Sequence, residues 1–176
     1  NLDIGIAIAL LANSIIILIL TDVNEDTNKK SYVLVGTLLT INFIFLPTTW
    51  PIILFVIVHT IATSHRIGLQ LFRIFFGAII AILTYFAVMY FAGYHSWNEA
   101  YLPFKGFVKV EDFSDFLPLI PIVLFLLFAI LDHFNHYNKK SPISKFKYTF
   151  LLLFIVAQLV TIILYMSLQY EYLLLL

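Results

Sequence analysis

The chain has 176 residues, of which 62% are hydrophobic and 11% charged, with no cysteine and a formal net charge of zero. Soluble domains are about half apolar and about a quarter charged, so this chain has too little polar surface to cover itself in water; lipid is the solvent that resolves the difficulty. Zero net charge gives no reason to expect nucleic acid or an acidic partner, and without cysteine there are no disulfides, thiol nucleophiles or cysteine-bound iron–sulfur clusters.

Six apolar stretches follow in chain order, at 4–20, 32–46, 52–64, 71–93, 116–131 and 148–170. The fourth and sixth are long enough to cross a hydrocarbon layer about 30 Å thick, and the first and fifth reach that length only with their flanks. The second and third are short and are joined by Pro47-Thr48-Thr49-Trp50-Pro51. At about 1.5 Å of rise per residue, each falls several ångströms short of a crossing. The pair therefore either thins the bilayer locally or forms a re-entrant hairpin that dips in and returns. Ser114 or Asp115 can cap the fifth helix, and Pro118 falls in its first turn, where a missing N–H is harmless. No linker or soluble domain interrupts the pattern. Residues 1–176 are expected to form a single all-α polytopic transmembrane helix bundle.

Lysine and arginine give the expected orientation through the positive-inside rule. With each stretch drawn as above, eight of the ten fall on one side: Lys29 and Lys30, Arg66 and Arg73, then Lys139, Lys140, Lys145 and Lys147. That side is assigned to the cytoplasm. Asn1, the Pro47–Pro51 turn, the 94–115 loop and the carboxyl end then face outward. An outward start in an apolar helix, with no basic leader or cleavage site before it, predicts that further chain precedes Asn1; simple translocation of the amino terminus is the alternative.

Polar residues within the predicted spans are candidate sites. Asn42, His59 and Gln158 stand out, with Asn13 a lesser case. Unsatisfied polar groups cost several kcal/mol in hydrocarbon, so these side chains should face protein or water. They either line a polar pocket near mid-membrane or act as interhelical hydrogen-bond glue worth about 1 kcal/mol per bond; glue is the commoner use. No Asp, Glu or Lys lies deep within a span, which disfavours a proton-coupled pump or a carrier of charged substrates. Gly5, Ala9 and Ala12 share one face of the first helix, and Gly77, Ala81 and Thr84 share one face of the fourth. Such faces let backbones approach, within the bundle or against a partner subunit.

Asp132-His133-Phe134-Asn135-His136 has spacings that can hold a metal, yet it is a lone cluster at an interface and reads as a wetted helix end. A haem held through His59 lacks an axial partner on a facing helix. No metal and no cofactor is expected. The 94–115 loop carries His95, Trp97 and Glu99. Aromatic residues of this kind favour the headgroup region. Alternatively, Trp50, His95 and Trp97 converge on an outer-surface binding site, with Glu99 or Asp3 as a catalytic base. No phosphate-cradling glycine loop, zinc-protease helix or serine elbow occurs.

The run Leu10-Leu11-Ala12-Asn13-Ser14, then Asn28-Lys29-Lys30-Ser31, then Phe45-Leu46-Pro47 ahead of an apolar hairpin, resembles uncharacterised polytopic inner-membrane proteins of Bacteroidota. It is distantly similar to multi-helix glycosyltransferases that use lipid-linked sugars. That resemblance implies a bacterial inner-membrane location and, within the glycosyltransferase class, a carboxylate on the first external loop. Asp3 is the nearest match, but the flanking residues of that motif are absent, so no catalytic role is carried over. The leading expectation is a non-catalytic subunit or scaffold whose partners are the bilayer and other membrane proteins. A membrane enzyme acting on a lipid-linked substrate at the outer leaflet is one alternative. A channel or carrier for a small uncharged solute is the other.

Overall fold

The computed structural model describes residues 2–22, 31–93, 117–165 and 174–175, and within that set the chain is an all-α helical bundle without strands. Six helices succeed one another: α1 (Leu2–Thr21), α2 (Tyr32–Phe45), α3 (Trp50–Thr63), α4 (Ile67–Phe91), α5 (Ile120–Asn135) and α6 (Pro142–Tyr165). One-turn 3-10 segments at Pro47–Thr49 and Tyr137–Lys139 join α2 to α3 and α5 to α6. Four spans are long and apolar enough to cross a membrane: Ile4–Thr21, Ile67–Phe91, Leu117–Asn135 and Pro142–Tyr165.

Helix ends depart from the hydropathy boundaries where polar residues extend a helix beyond its apolar run. α6 starts at Pro142, because proline suits a first turn and Ser141 Oγ accepts the Ser144 N–H at 3.3 Å. Lys145 and Lys147 then sit inside the helix, although they would lie outside any apolar window. α4 likewise starts at Ile67, ahead of Gln70 and Arg73, and ends at Phe91, followed after the cap residue Ala92 by Gly93, whose φ of 81° is the left-handed conformation that closes helix C-termini. The candidate caps Ser114 and Asp115 lie outside the described residues.

The short α2–α3 hairpin runs alongside α1 over most of its depth. At one end Gly5 packs against the Phe45 carbonyl, and at the other Leu20 and Tyr32 share one apolar cluster. Tyr32 Oη lies 3.2 Å from Ser64 Oγ, which ties the start of α2 to the end of α3. The turn between them is closed locally: the Leu46 carbonyl accepts both the Thr49 N–H (3.1 Å) and the Thr49 hydroxyl (2.8 Å). The hairpin thus covers about the same depth of the bundle as α1.

Two apolar clusters form the core. One joins Ile16 and Leu20 of α1, Tyr32, Val35 and Leu39 of α2, Ile52 and Val56 of α3, Ile74 of α4, and Phe150 and Phe154 of α6. The other joins Ile6 and Ala9 of α1, Leu46 at the hairpin turn, Leu119, Ile162 and Tyr165 of α6, and Leu175. Because the early half of α1 meets the late half of α6, and the late half of α1 the early half of α6, the two helices are antiparallel. The α3–α4 and α5–α6 connections consequently lie at the same end of the bundle. Arg66, Lys139, Lys140, Lys145 and Lys147 gather there, while Lys29 and Lys30 lie outside the described residues.

The small-residue faces are used inside the chain. Gly36 and Gly77 meet across α2 and α4 so closely that a Cβ on Gly36 would overlap the Ile74 carbonyl and one on Gly77 the Val33 carbonyl. Thr37 Oγ1 crosses the same seam to donate to the Gly77 carbonyl at 3.2 Å. Ala9, Ala12 and Ala81 are buried, whereas Thr84 is exposed and donates back to the Ile80 carbonyl at 2.8 Å.

Candidate functional site

A layer of carboxamides separates the two apolar clusters. Asn13 lies one turn beyond Ala9 on α1, Asn42 one turn before Leu46 on α2, and Gln158 one turn before Ile162 on α6, so helical spacing brings all three to one level. They are 2%, 1% and 4% exposed. Asn42 Nδ2 donates to Asn13 Oδ1 at 2.9 Å. Asn13 Nδ2 and Asn42 Oδ1 have no partner among the described residues, leaving one donor and one acceptor in the same pair. The bond engages one of the two polar atoms of each side chain. In a low-dielectric interior it fixes the rotation of α1 against α2 more sharply than apolar contact can.

His59 does not belong to this layer. Its ring stacks on Phe55 at 5.9 Å and meets Phe146 and Phe150 at 5.7 and 4.7 Å. Phe150 is two turns, about 12 Å, from Gln158 along α6. The amides and His59 therefore lie at different levels of the bundle. Sequence spacing grouped them by polarity alone; the helical registers separate them.

At the opposite end Trp50 Nε1 donates to Tyr165 Oη at 2.6 Å, pinning the hairpin turn to the end of α6. Trp50 is thus half-buried and engaged with its own chain. His95, Trp97 and Glu99 lie outside the described residues, and Asp3 falls in the first turn of α1.

A second polar constellation lies at the basic end, between α5 and α6. His133, 3% exposed, has Nε2 at 3.1 Å from Thr149 Oγ1 and Nδ1 at 3.2 Å from Lys140 Nζ. An ammonium only donates, so Nδ1 is the acceptor and the ring proton sits on Nε2, pointing to the threonine. Lys140 Nζ also lies 4.5 Å from the centre of the Tyr148 ring, and Lys145 Nζ 4.6 Å from that of Tyr137. Asp132 pairs instead with His136, Oδ1 to Nδ1 at 3.0 Å, on an exposed surface. Both His133 nitrogens are thus committed to Lys140 and Thr149. Among the described residues no group of three or more His, Asp or Glu is placed to hold a metal ion. The spacing of 132–136 pointed to this region, but the partners come from the connection and the next helix, which spacing does not reach. Nothing local flagged Gly36, Thr37 or Tyr165.

Among the described residues, six apolar helices, a glycine seam and a carboxamide layer define a polytopic helical bundle of the kind that lives in membranes. Within that class, the chain matches the model of DUF6427, a family of unknown function, over residues 1–176, and it belongs to that family. No curated protein and no solved structure matches it.

Proposed function

We propose that this chain is a non-catalytic integral membrane subunit of a larger complex, resident in a bacterial inner membrane with its basic end in the cytoplasm. The observation that carries this reading is the unevenness of its packing. The bundle buries 44% of the α6 span but only 17% of the α4 span. On α4 Gly77 and Ala81 are spent on the α2 seam, and the exposed surface of its first half carries a stripe of aromatic side chains among aliphatic ones. Phe72, Phe75 and Phe76 are exposed, with the Phe72 and Phe76 rings stacked at 6.2 Å. A rigid aromatic stripe beside a backbone-tight seam is a surface on which another helix can seat by dispersion, the force that drives association in lipid. The deep amides also support this reading over solute passage, since Asn13 and Asn42 are bonded to each other and the His59 ring packs on Phe55, Phe146 and Phe150.

The test is photo-crosslinking. A photoreactive phenylalanine analogue at Phe75, which is 64% exposed, should trap a single membrane protein in intact cells, and that protein should copurify with the chain in constant ratio. Recovery of a lone, stable monomer with crosslinks to lipid only would overturn the proposal. For the orientation, a tag near Lys139 should be shielded from membrane-impermeant reagents in intact cells.

A further inference from the structure

An apolar groove of about 370 Å³ runs between α5 and α6, lined by Pro121, Ile122, Phe125, Leu126, Ala129, Leu152 and Ile155. Its lining stops one turn short of the basic constellation: His133 follows Ala129 by four residues on α5, and Thr149 precedes Leu152 by three on α6. The His133–Thr149 contact therefore closes the groove at its basic end. Lys140 and Lys145 stand immediately above, each resting on a tyrosine ring. An ammonium has more N–H donors than the His133 contact and the Tyr148 face use, so Lys140 retains capacity for an oxyanion.

An apolar slot that ends under paired lysines and tyrosines has the polarity of one amphiphile with a negative head. We propose that the groove and these lysines form a single site for an anionic phospholipid of the leaflet on the basic side. One acyl chain lies along Phe125, Ala129, Leu152 and Ile155, and the phosphate sits at Lys140 and Lys145. Charge complementarity argues for lipid over a protein helix. Juxtamembrane lysines attract anionic headgroups, and a phosphate at Lys140 and Lys145 supplies the opposite sign at the end of the groove where they stand. Tyr137 and Tyr148 are amphipathic rings suited to headgroup depth. The lipid also accounts for α5, which meets the fold chiefly through α6 and through Leu119 and would otherwise stand off it along the groove.

The full chain in detergent, stripped of lipid, is titrated with phosphatidylglycerol or phosphatidylcholine and read by native mass spectrometry and thermal unfolding. One phosphatidylglycerol should bind and raise the unfolding temperature, and phosphatidylcholine should bind at least tenfold more weakly. Joint Lys140→Ala and Lys145→Ala substitution should weaken phosphatidylglycerol tenfold or more, with arginine at both positions restoring it. Ala129→Phe should block the acyl chain while leaving the lysines in place. Because that variant risks misfolding, Leu152→Phe provides the same obstruction from the other wall. The proposal is overturned if the alanine pair binds phosphatidylglycerol like the parent, if phosphatidylcholine binds equally well, or if glycerol phosphate alone reproduces the temperature shift. A protein crosslinked from the groove, in place of lipid, also overturns it.

Discussion

The α2–α4 seam and the α5–α6 pair are both contacts between apolar helices, yet they are built in opposite ways. At the seam, Gly36 and Gly77 remove side chains altogether, so the backbones touch and Thr37 can bond across. Between α5 and α6, Phe125, Leu126 and Leu152 line an open groove, and the side-chain hydrogen bond that joins the pair among the described residues is that of His133 with Thr149 at the basic end. In water both arrangements would gain from the hydrophobic effect. In lipid that gain vanishes, and what remains is dispersion and hydrogen bonding, which reward close approach. A seam made of glycine is therefore a strong contact in a membrane, and a pair spaced by bulky residues is a weak one that leaves room for a third component.

The largest break in this comparison is a side chain at the seam. Gly36→Val should cost about 3 kcal/mol or more, since the Cβ has only the Ile74 carbonyl to move against. Thermal unfolding in detergent would report it as loss of folded protein. Gly68→Ala, in open space on the same α4 helix, should be neutral or slightly stabilising. If both substitutions behaved alike, the seam would have no special status.

Next in size is the amide pair. Asn13→Leu alone leaves Asn42 buried without its partner and should cost about 1–3 kcal/mol. Adding Asn42→Leu should recover much of that loss, with a coupling of about 1 kcal/mol in the double-mutant cycle. Additive losses would show that the bond carries no coupling.

Smaller still is Thr149→Val, which removes the anchor of α5. The global cost should be below about 1 kcal/mol, but hydrogen exchange should quicken in the last turn of α5 while the α2–α4 seam stays protected. The smallest effect belongs to the outer face of α5. Phe128 is 74% exposed, so Phe128→Ala should change stability by less than about 0.5 kcal/mol, whereas Phe154→Ala in the core should cost about 3–5 kcal/mol.

Legibility in the sequence followed the same division. The six segments were readable because each is an apolar run bounded by polar residues, and the largest shifts of their ends came where helices continue into the polar zone, as at Lys145 and Lys147 of α6. Gly77 and Ala81 were readable as a close-approach face, since small residues at helical spacing share a side. Gly36, the residue that meets them, was not, because a single glycine in a short helix carries no periodic signal. Asn42 and Gln158 were marked by polarity alone, and so was His59, which the fold places in an aromatic cluster two turns away.

By itself the sequence determined the class of solvent and, among the described residues, the number of helices and the gathering of basic residues at one end. Those properties depend on composition and on runs within one segment, where the free-energy differences add over many residues. Tertiary structure alone decided that Asn13 would meet Asn42, that Trp50 would meet Tyr165, and that His133 would take Lys140 and Thr149 from beyond its own helix. Such pairings depend on the relative rotation and depth of two helices, and each is worth about 1 kcal/mol. A single helix's periodicity says which residues share a face, and nothing about which face will stand opposite.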